Sequence, residues 1–224
     1  KYMQKPLLRT IGKDADISDI KQPIKANQDL QELAIRQIRF KKALPLITLM
    51  AYSQDGEKII NISNKVDDQG KLVWDAPGGE WTLYAAYAGL VGKMVERAGP
   101  GGEGRVIDHL SKKALKNHVH NFDTAFAGYD TEAIRAYFND SYEVDEDHGS
   151  SNWTESFFQE FKKRRGYDLR KYLPYLIGDA ENQDKRKRVL CDYRETISDL
   201  LLDEFTKPWD KWAAKDNKMT RNQA

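Results

Sequence analysis

With 224 residues, 40% of them hydrophobic, the sequence can bury the core of one large domain or two small ones. Its 36 Lys and Arg against 35 Asp and Glu leave a net charge of +1, which excludes a general pull toward nucleic acid and an acidic-tail role. The single cysteine, Cys191, excludes an intramolecular disulfide and a thiolate metal cluster.

No apolar run reaches the length of a membrane span, and no signal peptide is visible. The start at Lys1 without Met and the stop at Ala224 in mid-segment read as cut ends. Residues 1–44 form a mixed segment: an extended piece at Lys5–Arg9, a polar loop from Gly12 to Pro23, and a short helix over Asp29–Arg36. Residues 45–92 form a β-rich module. Strand-like runs at Leu46–Tyr52, Ile59–Ser63, Leu72–Trp74 and Trp81–Tyr87 are separated by turn signals at Asp55-Gly56, Asp68-Gln69-Gly70 and Pro77-Gly78-Gly79. They predict a small antiparallel sheet or sandwich. Trp74, Trp81, Tyr84 and Tyr87 can stack on sugars, but aromatic residues on a sheet more often fill its core.

Residues 93–224 read differently. The Gly-rich run Glu96–Gly104 is no P-loop, because no Gly-Lys-Ser/Thr closes it. Arg105–Asp108 reads as a strand, with Asp108 and His109 as a polar pair at its end. Ser111 is an N-cap for a helix carrying Ala114, Leu115, Val119, Phe122 and Phe126 and stopped by Gly128. On it, His118 and His120 point to different sides and make no zinc pair. Ile134–Phe138 is a strand opening into Asn139-Asp140-Ser141-Tyr142-Glu143 and an acidic loop, Asp145–His148. That loop lacks the glycine and final glutamate offsets of an EF-hand. Asn152 with Glu155 suggests a capping box for a helix holding Phe157, Phe158 and Phe161 and ended by Gly166. Leu169–Leu176 is a shorter helical piece broken by Pro174. From Asp184 a long helix follows, with Val189, Leu190, Tyr193, Ile197, Leu200, Leu201, Phe205 and Trp209 on one stripe and a kink or interruption at Pro208. Cys191 lies within this helix with no His nearby and is read as a packing residue. A turn at Asp216-Asn217 leads into the start of a further strand from Thr220. The basic clusters Lys162–Arg165 and Lys185–Arg188 read as solvated helix faces. The alternation of strand and helix defines an α/β class, a parallel sheet or barrel; a complete barrel needs ~250 residues, so a barrel here is partial.

The strongest chemical candidate is Asn139–Glu143, a cluster of carboxylates and amide just past a strand predicted to be parallel. Glycoside hydrolysis needs a pair of carboxyls across the scissile bond, and Glu143 suits one of them. The alternative is that Asp140 caps a turn and Glu143 is solvated. His109 can bind a sugar hydroxyl or a metal, or hold a structural hydrogen bond.

Several blocks in order resemble glycoside hydrolase family 106, the bacterial α-L-rhamnosidases. They are Val95–Ser111, Phe138–Val144, Asn152–Thr154, Glu160–Leu169, Asp192–Leu201 and Arg221–Ala224, and the resemblance spans roughly residues 45–224. It implies an internal fragment of a large, exported or periplasmic enzyme. Such an enzyme removes terminal α-L-rhamnose from plant polysaccharides, with inversion, on a (β/α)8 barrel, helped by a calcium ion whose ligands are not assigned. It implies Glu143 as a catalytic carboxylate, acid or base, with Asp140 and Tyr142 orienting it or touching the sugar, and Asp108 and His109 on the substrate side. The family's further carboxylates lie beyond Ala224, so the isolated chain is expected to be inactive, and open strand edges favour association. The partner is a rhamnose-containing glycan; neither nucleic acid nor a membrane span is expected. A different reading makes the chain a non-catalytic carbohydrate-binding or structural module using the aromatic sheet.

Overall fold

A computed structural model describes residues 14–15, 42–43, 45–88, 106–140, 142 and 152–223. The Gly-rich run, the acidic loop, Glu143 and the short helix at 29–36 lie outside the described residues. Contacts divide the chain into two units, Lys1–Arg105 with Phe158–Cys191, and Val106–Phe157 with Asp192–Ala224.

In the first unit, β1 (Asp14–Ala15) pairs antiparallel with β2 (Lys42–Ala43). A three-stranded antiparallel sheet follows, with β3 (Leu46–Ser53) between β4 (Ile59–Asn61) and β5 (Trp81–Tyr87). The turn after β3 sits where Asp55-Gly56 predicts it: Gly56 takes φ +74 and donates to the Ser53 carbonyl at 2.8 Å. Strand β3 is buried along its middle because both of its faces are covered. Leu49 and Ala51 join Ile62 in one cluster, and Leu72, Trp74 and Trp81 pack against it. On the other face, Tyr52 stands edge-on to Tyr84 at 5.1 Å and donates its hydroxyl to the Arg170 carbonyl.

Leu72–Trp74 is not a strand. Val66 and Leu72 form a single bridge, and the Val73 N–H goes to the Lys65 carbonyl at 2.8 Å, so these residues close a loop on themselves. The rings of Trp74 and Trp81 meet edge to face at 5.6 Å, and Trp81 Nε1 donates to the Pro77 carbonyl at 2.9 Å. Both indoles are thus engaged with the protein itself. From Phe158 on, α2 (Phe157–Arg165) belongs to the same unit, and it ends at Gly166, whose φ is +81. It is followed by a 3-10 turn (Leu169–Tyr172) and α3 (Leu173–Ile177). The piece is broken just ahead of Pro174, at Tyr172 with φ -127, and Pro174 occupies the first turn of α3, where its missing N–H has no partner to lose. Phe161 and Leu169 are fully buried, each contributing roughly 2–3 kcal/mol of transfer free energy.

The second unit contains a parallel strand pair. Helix α1 (Lys112–Phe126) starts at the expected cap, with Ser111 Oγ accepting from Ala114 N at 3.4 Å. Strand β6 (Ala136–Asn139) pairs parallel with β7 (Met219–Asn222), and helices fill the connection between them. Helix α4 (Gln183–Leu200) runs into a π-helical segment, Leu201–Thr206, and then α5 (Lys207–Ala214). The regular α-helix is thus interrupted, by a π-helical turn, just ahead of Pro208. The proline's missing N–H and its ring conflict with an α-helical fourth-residue bond. The wider turn resolves the conflict, as the bond from Lys207 N–H back to the Leu202 carbonyl shows. Leu115, Val119, Phe205 and Trp209 form the core, with Tyr137, Tyr142, Leu201 and Trp212 against it.

Two further expectations fail locally. Cys191 is exposed, because the buried stripe of α4 runs through Val189, Tyr193, Thr196 and Leu200 and leaves Cys191 off it. Asn152 does not cap α2. Its oxygens accept from Tyr193 Oη at 3.2 and 3.3 Å, and Phe157 N bonds to the Thr154 carbonyl instead.

Candidate active site

The register of the parallel pair sets Asn139 beside Asn222 at the carboxyl ends of β6 and β7. Alternation along β6 puts Tyr137 and Asn139 on the same face. That face is the helix-covered one, because Tyr137 packs on Trp212 at 4.7 Å. Asn139 Nδ2 donates to Asn222 Oδ1 at 2.7 Å and to the Asp140 carbonyl at 2.8 Å. Asn222 Nδ2 donates to Tyr142 Oη at 2.8 Å. Tyr142 Oη lies 3.3 Å from Thr206 Oγ1, which bonds the Leu201 carbonyl at 3.1 Å.

His109 leans on the same cluster. Its ring stands edge-on to Tyr142 at 5.1 Å and to Phe205 at 4.7 Å. Burial first, and the charge of His118 second, lower its pKa to about 4, so the ring is neutral near pH 7. A neutral imidazole offers one N–H and one lone pair, not a positive charge. Asp108 is held by its neighbours: Oδ1 accepts from Leu110 N at 2.9 Å, and Oδ2 accepts from Thr154 Oγ1 at 2.7 Å. Residues 106–108 are not paired as a strand, and His109 and Leu110 form a turn, so this polar pair sits on a loop.

Of the residues assigned from sequence, His109 and Tyr142 come into direct contact, and Asp108 adjoins them through the chain. Asp140 follows β6 with its side chain exposed. Glu143 lies outside the described residues. The structure adds Thr154, Thr206 and Asn222, and gives Asn139 a partner. Asn139, Thr154 and Asn222 lie inside the sequence blocks quoted above, but nothing local to them announces bonds to residues dozens of positions away. His118 packs against Phe122 on α1, with ring centres 5.3 Å apart. Among the described residues, no three His, Cys, Asp or Glu gather as metal ligands.

An α/β unit that collects polar side chains at the carboxyl ends of parallel strands is of the class that mounts ligand chemistry there. A family model for α-L-rhamnosidase, glycoside hydrolase 106, matches residues 43–222, and the chain belongs to this family. A Formosa agariphila protein called "Putative beta-glucuronidase" is 34% identical over 154 residues, which covers 66% of this chain and 13% of that protein. The solved rhamnosidase from Novosphingobium sp. PP1Y is similar in fold, with a TM-score of 0.56 and 23% identity over 78% of this chain and 17% of that one. The chain thus spans less than a fifth of either relative.

Proposed function

We propose that the chain is part of an α-L-rhamnosidase that hydrolyses terminal α-L-rhamnosides of plant polysaccharides with inversion. One observation carries the reading. In a member of family 106, Asn139, Tyr142 and Asn222 meet at the carboxyl ends of a parallel pair, the end at which βα enzymes hold their substrates. On this reading, β6 and β7 are neighbouring strands of a (β/α)8 barrel completed by chain outside residues 1–224. The short span relative to the solved rhamnosidase supports placing the activity in the longer protein, with the fragment inactive alone.

Inversion uses two carboxyls roughly 6.5–9.5 Å apart. One gives its proton to the glycosidic oxygen as the bond to the anomeric carbon breaks. The other takes a proton from the water that attacks the opposite face. Glu143 is proposed as one of the two, either acid or base. His109, uncharged, and the Asp108 and Asp140 side chains are proposed on the substrate side. The family resemblance also implies calcium, which takes roughly six to eight oxygen ligands. Among the described residues, no three His, Cys, Asp or Glu side chains gather to hold it. An exported or periplasmic location belongs to the same proposal. Among the described residues, no helix is long and apolar enough to cross a membrane.

The test is sugar release by the full-length enzyme from an aryl α-L-rhamnoside, beside an aryl β-D-glucuronide because of the name of the Formosa relative. Rhamnose release that drops by about a hundredfold or more in Glu143→Gln is expected. Release of glucuronic acid alone moves the substrate assignment. No release from either defeats the reading.

A further inference from the structure

The hydrogen bonds at the strand ends run in one direction. Thr206 Oγ1 carries one hydrogen, and it is directed to the Leu201 carbonyl at 3.1 Å. Tyr142 Oη, 3.3 Å away, must then donate to Thr206. Tyr142 Oη accepts from Asn222 Nδ2, and Asn222 Oδ1 accepts from Asn139 Nδ2. The order is Asn139, Asn222, Tyr142, Thr206, Leu201, from the two strands into the π-helical segment. The segment is part of the device, because it places the hydroxyl of Thr206 against the carbonyl five residues earlier. Widened turns of this kind are frequent at functional sites.

Tyr142 is fixed by two kinds of contact. Its ring is packed by His109 and Phe205, and its hydroxyl is held by Asn222 on one side and Thr206 on the other. With its hydrogen given to Thr206, the phenol works by holding position. We propose that Thr206 is a positioning residue for the glycosidase reaction, acting through Tyr142, the residue that precedes Glu143 in the sequence. This inference rests on the function proposed above. Misplacement of a reacting group by about 1 Å can cost a hundredfold in rate, and that is the scale on which such a relay acts.

The experiment compares Thr206→Val, Thr206→Ser, Tyr142→Phe and the double variant Thr206→Val/Tyr142→Phe in the full-length enzyme, on an aryl α-L-rhamnoside. Thr206→Val should lower kcat by up to about a hundredfold with KM little changed. Thr206→Ser, which restores the hydroxyl, should stay within about twofold of the native enzyme. Tyr142→Phe, which also removes the acceptor of Asn222 Nδ2, should lose at least as much as Thr206→Val, and the double variant should be no worse than Tyr142→Phe, because the Tyr142–Thr206 link is already gone in each. Should Thr206→Val fail to fold, Tyr142→Phe against Thr206→Ser carries the same comparison. Native kcat in Thr206→Val and Tyr142→Phe overturns the inference, as do losses that add in the double variant or fall on KM alone. An active native enzyme with indifferent variants sinks only this inference; a native enzyme that releases no rhamnose sinks the functional reading and this inference with it.

Discussion

At the residue scale, His109 carries the most consequential charge state. It is neutral because burial, reinforced by His118, lowers its pKa to about 4. An unfolded histidine titrates near 6.5. Between those values the unfolded chain binds a proton that the folded chain does not, so stability is complete above about pH 6.5 and falls as the pH drops toward 4. The full difference is on the order of 3 kcal/mol at the acid end. His109→Phe keeps a ring between Tyr142 and Phe205 and has nothing to titrate. Its thermal midpoint should therefore fall less than the native one between pH 7 and 4.5. Carboxylates titrate in both proteins, so the difference between the two curves isolates His109. Parallel curves would mean that the ring accepts its proton freely in the folded state. The same neutrality bears on function. On the proposed function a sugar hydroxyl at His109 would meet an uncharged donor and acceptor, beside an Asp108 carboxylate that Leu110 N and Thr154 Oγ1 hold in place with acceptor sites to spare.

At the element scale, helix ends separate two costs of replacing glycine. Gly166 and Gly178 both follow helices with positive φ, at +81 and +94. A Cβ on Gly166 meets nothing within 4 Å, whereas one on Gly178 lies 3.3 Å from Arg186 Nη2. Gly166→Ala should cost about 1 kcal/mol from backbone strain alone. Gly178→Ala should cost more, toward about 2 kcal/mol, because the guanidinium must also move. Chemical-denaturation midpoints of the two variants give the comparison, and equal losses would show that Arg186 yields freely. Gly166 as a helix stop was legible in the sequence, as were the Ser111 cap, β3, β5 and the helical stripes, because local geometry and hydrophobic period write them. Leu72–Trp74 was misread as a strand because strand propensity does not say where an N–H finds its acceptor. Pro208 announced a disturbance of the helix but not its form, since a π turn depends on bonds five residues apart. The candidate site was only partly legible. Its motif blocks marked Asn139–Glu143, but Asn139 with Asn222 and Tyr142 with Thr206 are joined by pairing across 83 and 64 residues. No local pattern encodes such links.

At the scale of the whole molecule, the parallel pair has one finished face. Tyr137 packs on Trp212 and the core behind it. The register places Ala136 beside Met219 and Phe138 beside Arg221 on the opposite face, where Phe138 is 59% and Met219 56% exposed. Parallel strands are ordinarily covered on both faces, and two strands make a poor sheet by themselves. The relatives supply a source for the cover, because the chain spans 17% of the solved rhamnosidase. If further strands close a barrel over this face, the cost of Phe138→Ala depends on which protein carries it. In the 224-residue chain the exposed ring should cost within about 0.5 kcal/mol, as surface substitutions do. In the longer protein the same change should cost about 3 kcal/mol, as truncation of a core phenylalanine does. Urea midpoints of both pairs decide the matter. A small effect in each would leave this face uncovered in the longer protein too, and the barrel reading would lose its structural footing. A large effect confined to the longer protein would make Phe138 an interior residue, directly preceding the asparagine that begins the relay to Thr206.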